Sequence, residues 1–153
     1  AKLQLAGTTA LVRVVNDIEA FRLEARAQDH AKSTYAKKLS KSEALIDWST
    51  TATAIDRQVR AGIGRSPAYS FLDQQRLRIL EARPLAGTSD APPGTIVEMQ
   101  KDAFTVVCSE SLLQVLKVQL PGKGATVVTN VLRSRPLLFA PGNVFGAEMP
   151  TSS

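Results

Sequence analysis

Nucleophilic catalysis needs a nucleophile beside a base, and a third group to orient that base. The chain has one histidine, His30, and one cysteine, Cys108. His30 falls in a polar stretch. Cys108 follows Val106 and Val107 in an apolar run that reads as mid-strand, the setting of an inert core thiol. One Cys and one His cannot supply the four ligands of a structural zinc site. "PGKG" at 121–124 has the glycines of a phosphate loop without the Walker spacing, and reads as a turn between a strand and a helix. Acidic residues are scattered, with no carboxylate pair. The chain by itself therefore reads as lacking an active site.

Basic residues are the stronger signal. Nineteen Lys and Arg stand against fourteen Asp and Glu, a net charge of +5 that favours polyanionic partners. Residues 28–41, "QDHAKSTYAKKLSK", carry four lysines against one aspartate. Here Lys37, Lys38 and Lys41 follow Tyr35, and an aromatic face beside ammonium groups suits a nucleotide end. The same stretch also reads as a solvated linker. Lys123 sits in the turn before the last helix, and Arg133 and Arg135 end that helix. Those two arginines equally fit a simple complement to the helix dipole.

The elements that must position these residues follow from periodicity. "TTALVRVVNDIEAFRLEARAQ" is an amphipathic helix with Leu11, Val14, Val15, Ile18 and Phe21 on one face and Arg13, Asp17 and Glu19 on the other. Ser40 and Glu43 have capping-box spacing, which starts a short turn near Lys41. A second helix spans Thr51 to Ala61, with Ile55 and Val59 inward and a stop at Gly62. From Tyr69 the period becomes two. "YSFL", "RLRILEA", "TIVEMQ", "FTVVCS" and "LLQVLKVQL" read as five short strands, with Leu77 and Ile79 on one face and Arg76 and Arg78 on the other. "TVVTNVLRS" is a last helix beginning at Ala125 or Thr126, with Val127, Val128, Val131 and Leu132 inward. The tail is irregular, and disordered after about Ala147. The expected fold is mainly β with flanking helices, a small antiparallel barrel of oligonucleotide-binding (OB-like) type.

A chain of 153 residues suffices for one ordinary domain, or a small domain with attached elements. The lone cysteine suggests a reducing compartment, and no apolar run approaches the ~18 residues of a membrane span. The N-terminus lacks a signal-peptide pattern. The first residue is Ala1, which fits a processed product or a piece of something longer.

Several motifs together carry a resemblance. "TYAKKLSKSEALIDWS" at 34–49, followed by "DRQVRA", resembles the opening of the C-terminal half of methionyl-tRNA formyltransferases. "APPGTIVE", "LKVQLPGKG" and "VLRSRPLLFAPGN" resemble three further passages of that family, in the family's order. The match runs from about Thr34 to Phe145, and the opening helix resembles the last helix of the family's catalytic domain. Two places depart from the pattern. "GIGRSPAY" at 62–69 keeps Pro67 but lacks the family's tryptophan, and Gly124 stands where a second lysine usually follows Lys123.

The resemblance implies a division into about 1–27, the end of a catalytic domain; 28–40, a basic linker; 41–147, a tRNA-binding OB-like domain; and 148–153, a disordered tail. It implies initiator tRNA as partner, held by Tyr35, Lys37, Lys38, Lys41, Lys123, Arg133 and Arg135. In the family, a Rossmann-like half binds the co-substrate 10-formyltetrahydrofolate and carries the catalytic Asn, His and Asp. That half is unmatched here, so no cofactor, metal or catalytic residue is expected in this chain, which would be inactive alone. Trp48 is expected in the core or at the junction. The implied setting is a bacterial cytoplasm, or an organelle. The exposed first helix would meet the missing catalytic domain, or a second copy of the chain. One alternative is a structural barrel from a related formyltransferase or hydrolase acting on a sugar nucleotide or folate, without tRNA binding. Another is a degenerate fragment with a purely structural role.

Overall fold

The structure, a computed structural model, describes residues 2–35, 40 and 42–146, apart from the side chains of 23 and 24. Lys37, Lys38, Lys41 and the tail from Ala147 onward, each assigned a part above, lie outside the described residues. The chain divides into two compact units, Ala1–Lys37 and Lys38–Ser153.

In the first unit the single expected helix is two: α1, Lys2–Asn16, and α2, Ile18–Glu24. Asp17, at φ −140° and ψ 58°, leaves helical geometry and breaks the run. Its carbonyl still accepts from the Phe21 amide, so the helix restarts at once. The apolar stripe buries nothing: Leu11, Val14, Val15 and Ile18 are exposed. Only Phe21 is partly covered, with the Arg13 guanidinium 5.4 Å from its ring centroid. Within the stretch read as aperiodic, Asp29 accepts from the Ala31 amide and caps a 3-10 turn at His30–Lys32.

The second unit is an antiparallel sheet with helices against it. The strands are β1 (Tyr69–Leu72), β2 (Gln75–Leu85), β3 (Ile96–Met99), β4 (Phe104–Val107), β5 (Leu112–Gln119) and β6 (Thr126–Val127). Their order is β1-β2-β5-β4-β3, and β6 adds to β5. The β1–β2 turn has Asp73 at φ 48° and Gln74 at φ 57°, a left-handed pair whose twist matches that of the strands it joins. Segment 142–146 bonds to both ends of the path. Gly146 exchanges two hydrogen bonds with Phe71 on β1, and the Asn143 carbonyl accepts from Ile96 on β3. Both outer strands thus hand part of their unpaired backbone to one segment, which limits edge-to-edge association.

The start of the last helix is a correction. Thr126 and Val127 pair with Val118 and Lys117 as a sixth strand, and α4 runs Val128–Ser134. Both residues are β-branched and lie beside open backbone of β5, so strand pairing outcompetes a first helical turn. Val127 consequently points out and is 45% exposed, whereas Val128 and Val131 are buried and Leu132 packs at the edge of the core.

The capping box is present: Ser40 accepts from the Glu43 amide, the Glu43 carboxylate accepts from the Ser40 amide, and a 3-10 turn follows at Ser42–Ala44. Helix α3, Ala52–Gly62, starts at Thr51, whose hydroxyl accepts from the Ala54 amide. A second open amide, that of Ala52, donates to Ser111 at 3.0 Å. Ala52, Ile55, Val59 and Gly62 form its buried stripe, against β2. Gln58 donates to the carbonyls of Glu43 and Leu45 and ties this helix to the preceding segment.

Phe104 and Phe139 are fully buried and stacked at 4.1 Å in the centre of the core. Trp48 is buried, 5.0 Å from Phe145, with its indole N–H donating to Ser70 at 3.0 Å. Ser70 passes that bond on to the Gly146 carbonyl, so the indole is satisfied inside the core. Gly94 makes this closure possible: at φ +89°, an added Cβ would lie 2.9 Å from the Phe145 carbonyl oxygen and 3.5 Å from the Trp48 ring. Gly94→Ala combines left-handed strain with a backbone clash and is expected to cost about 2–4 kcal/mol. Urea melts of the two proteins measure it, and a loss under ~0.5 kcal/mol would show that segment 142–146 yields freely.

Candidate nucleic-acid interface

Among the described residues, no group of three or more His, Cys, Asp or Glu could hold a metal ion. Cys108, expected mid-strand, is buried just past the end of β4, where desolvation pushes its thiol up to about 12, so the reactive thiolate is suppressed. No helix of the described residues is long and apolar enough to cross a membrane.

The described cations divide by position. Tyr35 is 89% exposed, in the first unit. Lys123 ends the turn Leu120–Lys123, closed by its amide donating to the Leu120 carbonyl, with Pro121 and Gly122 at the centre and Gly122 at φ +67°. A left-handed residue after proline is the type II geometry, which favours glycine there. This turn joins two strands, not a strand to a helix. Gln119 donates to the Lys123 carbonyl at 2.8 Å and fixes the turn from its other side. Arg133 is exposed in the last turn of α4, where it also faces the negative end of the helix. Arg135, just beyond that end, donates to Gln75 at 2.8 Å and so leans on the start of β2.

Two arginines that the sequence placed on the solvent face of β2 join this group. Arg76 and Arg78 line one cavity of about 210 Å³ together with Gln119, Leu120, Pro121 and Gly122. Register brings them there, because Arg78 lies opposite Gln119 across the β2–β5 ladder. Alternation of "RLRIL" showed which way they point; nothing local showed that a residue 41 positions later would meet them. Ion pairs among the described residues are Arg22–Glu19, Lys32–Asp29 and Arg60–Asp56. Arg76, Arg78, Lys123, Arg133 and Arg135 have no such partner among those residues. The second unit therefore presents positive charge with no ion-pair partner among the described residues, which suits an anionic ligand.

The two departures noted above are also placed. In segment 62–69 the amides of Arg65 and Ser66 bond the Gly62 carbonyl, and Ala68 is buried against Gly62 before β1 begins. At Gly124 no atom beyond the adjacent residues lies within 4 Å of an added Cβ.

Comparison with known proteins gives this arrangement a family. A model of the formyl transferase C-terminal domain matches residues 38–136. Methionyl-tRNA formyltransferase of Pseudomonas putida strain W619 is 35% identical over 145 residues, covering 95% of this chain and 46% of the relative. That of Acidithiobacillus ferrooxidans is 42% identical over 123 residues, covering 80% of this chain and 39% of the relative. The chain thus spans less than half the length of these relatives. A variant of HypX from Aquifex aeolicus superposes with TM-score 0.59 at 15% identity, over 79% of this chain and 22% of that one. HypX with tetrahydrofolic acid gives 0.57 over 78% and 22%. At that identity the likeness is one of fold. The family match covers more than half of the sequence, and the chain belongs to the formyl transferase C-terminal domain family.

Proposed function

We propose that the chain is the tRNA-holding portion of a methionyl-tRNA formyltransferase, working in a bacterial cytoplasm. Residues 41–147 form its OB-like domain, 28–40 a basic linker, and 1–27 the end of a catalytic domain. The carrying observation is the 35–42% identity to methionyl-tRNA formyltransferases over 80–95% of the chain. Cations on the turn at Lys123 and around α4, with no ion-pair partner among the described residues, support it from a second direction. In this reading Tyr35 offers a stacking face, and Lys37, Lys38, Lys41, Lys123, Arg133 and Arg135 hold phosphates. Formyl transfer from 10-formyltetrahydrofolate to initiator methionyl-tRNA falls to the rest of the parent enzyme, and this chain alone is inactive. The test is binding of initiator tRNA to the purified chain, with an elongator tRNA as control. Comparable binding of both supports a tRNA-holding domain without its own discrimination.

In a second reading, the same fold only supports the catalytic domain of a related formyltransferase or hydrolase acting on a sugar nucleotide or folate. No tRNA binding, even at low salt, would select it.

The first unit carries a separate expectation. Leu11, Val14, Val15 and Ile18 are 64%, 37%, 61% and 54% exposed along α1 and the start of α2. Such a stripe is expected to drive self-association of the isolated chain, through a second copy of the same helix. Sedimentation velocity over a concentration series checks it, and a monomer throughout the series would refute it.

A further inference from the structure

We propose that Arg76 and Arg78 form a cradle that holds a phosphodiester of the bound RNA against the Leu120–Lys123 turn. The inference rests on the tRNA-binding reading and adds to it two residues and a site outside the linker and α4.

Both guanidinium groups are held before any ligand arrives. The Arg76 guanidinium carbon sits 3.7 Å from the centroid of the Tyr69 ring, and Tyr69 is steadied by Phe71, edge-on at 5.8 Å. This contact draws on the charge of the guanidinium over the ring and uses up no hydrogen-bond acceptor, which leaves N–H donors for a ligand. Arg78 spends one donor on Gln119 at 3.0 Å, and Gln119 donates in turn to the Lys123 carbonyl at 2.8 Å. Guanidinium, amide and turn are therefore one bonded unit. Arginine is rich in rotamers, and the entropy cost of freezing it on binding is largely met here in advance.

The lining selects the ligand's charge and shape. Arg76, Arg78, Gln119, Leu120, Pro121 and Gly122 include no carboxylate. Two guanidinium groups in one cavity of about 210 Å³ match a small anion with several acceptor oxygens, and planar forks engage phosphate oxygens in pairs. A cation would be repelled, and an apolar group would strand the donors. On a chain of net charge +5 that holds RNA, the backbone phosphodiester is the anion that fits.

The experiment is tRNA binding by the full chain across a salt series, comparing wild type, Arg76→Gln/Arg78→Gln and Arg76→Lys/Arg78→Lys. The Gln pair is expected to bind about 10- to 100-fold more weakly at low salt, with the slope of log K against log salt reduced by about one, for the one phosphodiester no longer neutralised. The Lys pair, which keeps the charge and loses the fork, is expected to restore the slope and part of the affinity. Wild-type binding with an unchanged slope in the Gln pair overturns the cradle and leaves the tRNA reading standing. Weaker binding at an unchanged slope overturns it too, because the loss would then be structural. Absence of wild-type binding removes both. If thermal melting shows the Gln pair unfolded, Arg78→Gln alone decides, since it spares the Tyr69 stacking: weaker binding with a shallower slope supports the cradle, and an unchanged slope overturns it.

Discussion

Affinity of the chain for initiator tRNA is expected to fall about a thousandfold between roughly 50 and 200 mM salt. Each phosphate that a Lys or Arg neutralises releases condensed counterions, and the slope of log K against log salt is about −0.9 per neutralised phosphate on a duplex. Apart from the cradle at Arg76 and Arg78, six cations are assigned to phosphates: Lys37, Lys38, Lys41, Lys123, Arg133 and Arg135. Six neutralised phosphates give a slope near −5, and a fourfold rise in salt then costs about three decades. Replacing Lys37 and Lys38 together with Ala should flatten the slope by about one unit for each phosphate no longer neutralised. A slope shallower than about −2 in the wild type would mean that most of these side chains stay in solvent. Fluorescence anisotropy with labelled tRNA, at several salt concentrations, measures both quantities.

Phe104→Ala is expected to cost about 3–5 kcal/mol of stability in the second unit, the range for removing a fully buried aromatic side chain. Phe104 has no exposed surface, stacks on Phe139 at 4.1 Å and lies 6.0 Å from Phe145. Those two partners come from the segment after α4, while Phe104 comes from β4, so its ring joins the closing segment to the sheet. Its loss leaves a cavity between the closing segment and the sheet. Native domains are stable by about 5–15 kcal/mol in total, so the variant should sit close to unfolding at 37 °C. Denaturant melts followed by the fluorescence of Trp48, the chain's one tryptophan, read this unit directly. A shift under ~1 kcal/mol would show that the core recloses around the gap.

The amino-acid sequence by itself determined the local elements of this protein. Ser40 with Glu43, Thr51 before an amphipathic stripe, and Leu77 and Ile79 alternating with Arg76 and Arg78 all act within a few residues. The elements they specify are present in the structure. The motif order was legible in the same way and led to the family, since a family signature is a property of the string. Where periodicity misled, at Asp17 and at Thr126–Val127, one backbone conformation or one neighbouring strand outweighed it.

Only the tertiary structure decided what sits beside what. The pairing of Arg78 with Gln119, the lean of Arg135 on Gln75, and the bond from Trp48 to Ser70 join residues 41, 60 and 22 positions apart. Pairings across such separations depend on strand order and register, which are set by burial of the whole sheet face at once. The cradle at Arg76 and Arg78 was therefore invisible in a string that shows two outward arginines and, far downstream, a Pro-Gly turn. It exists because β2 and β5 are neighbours in the sheet.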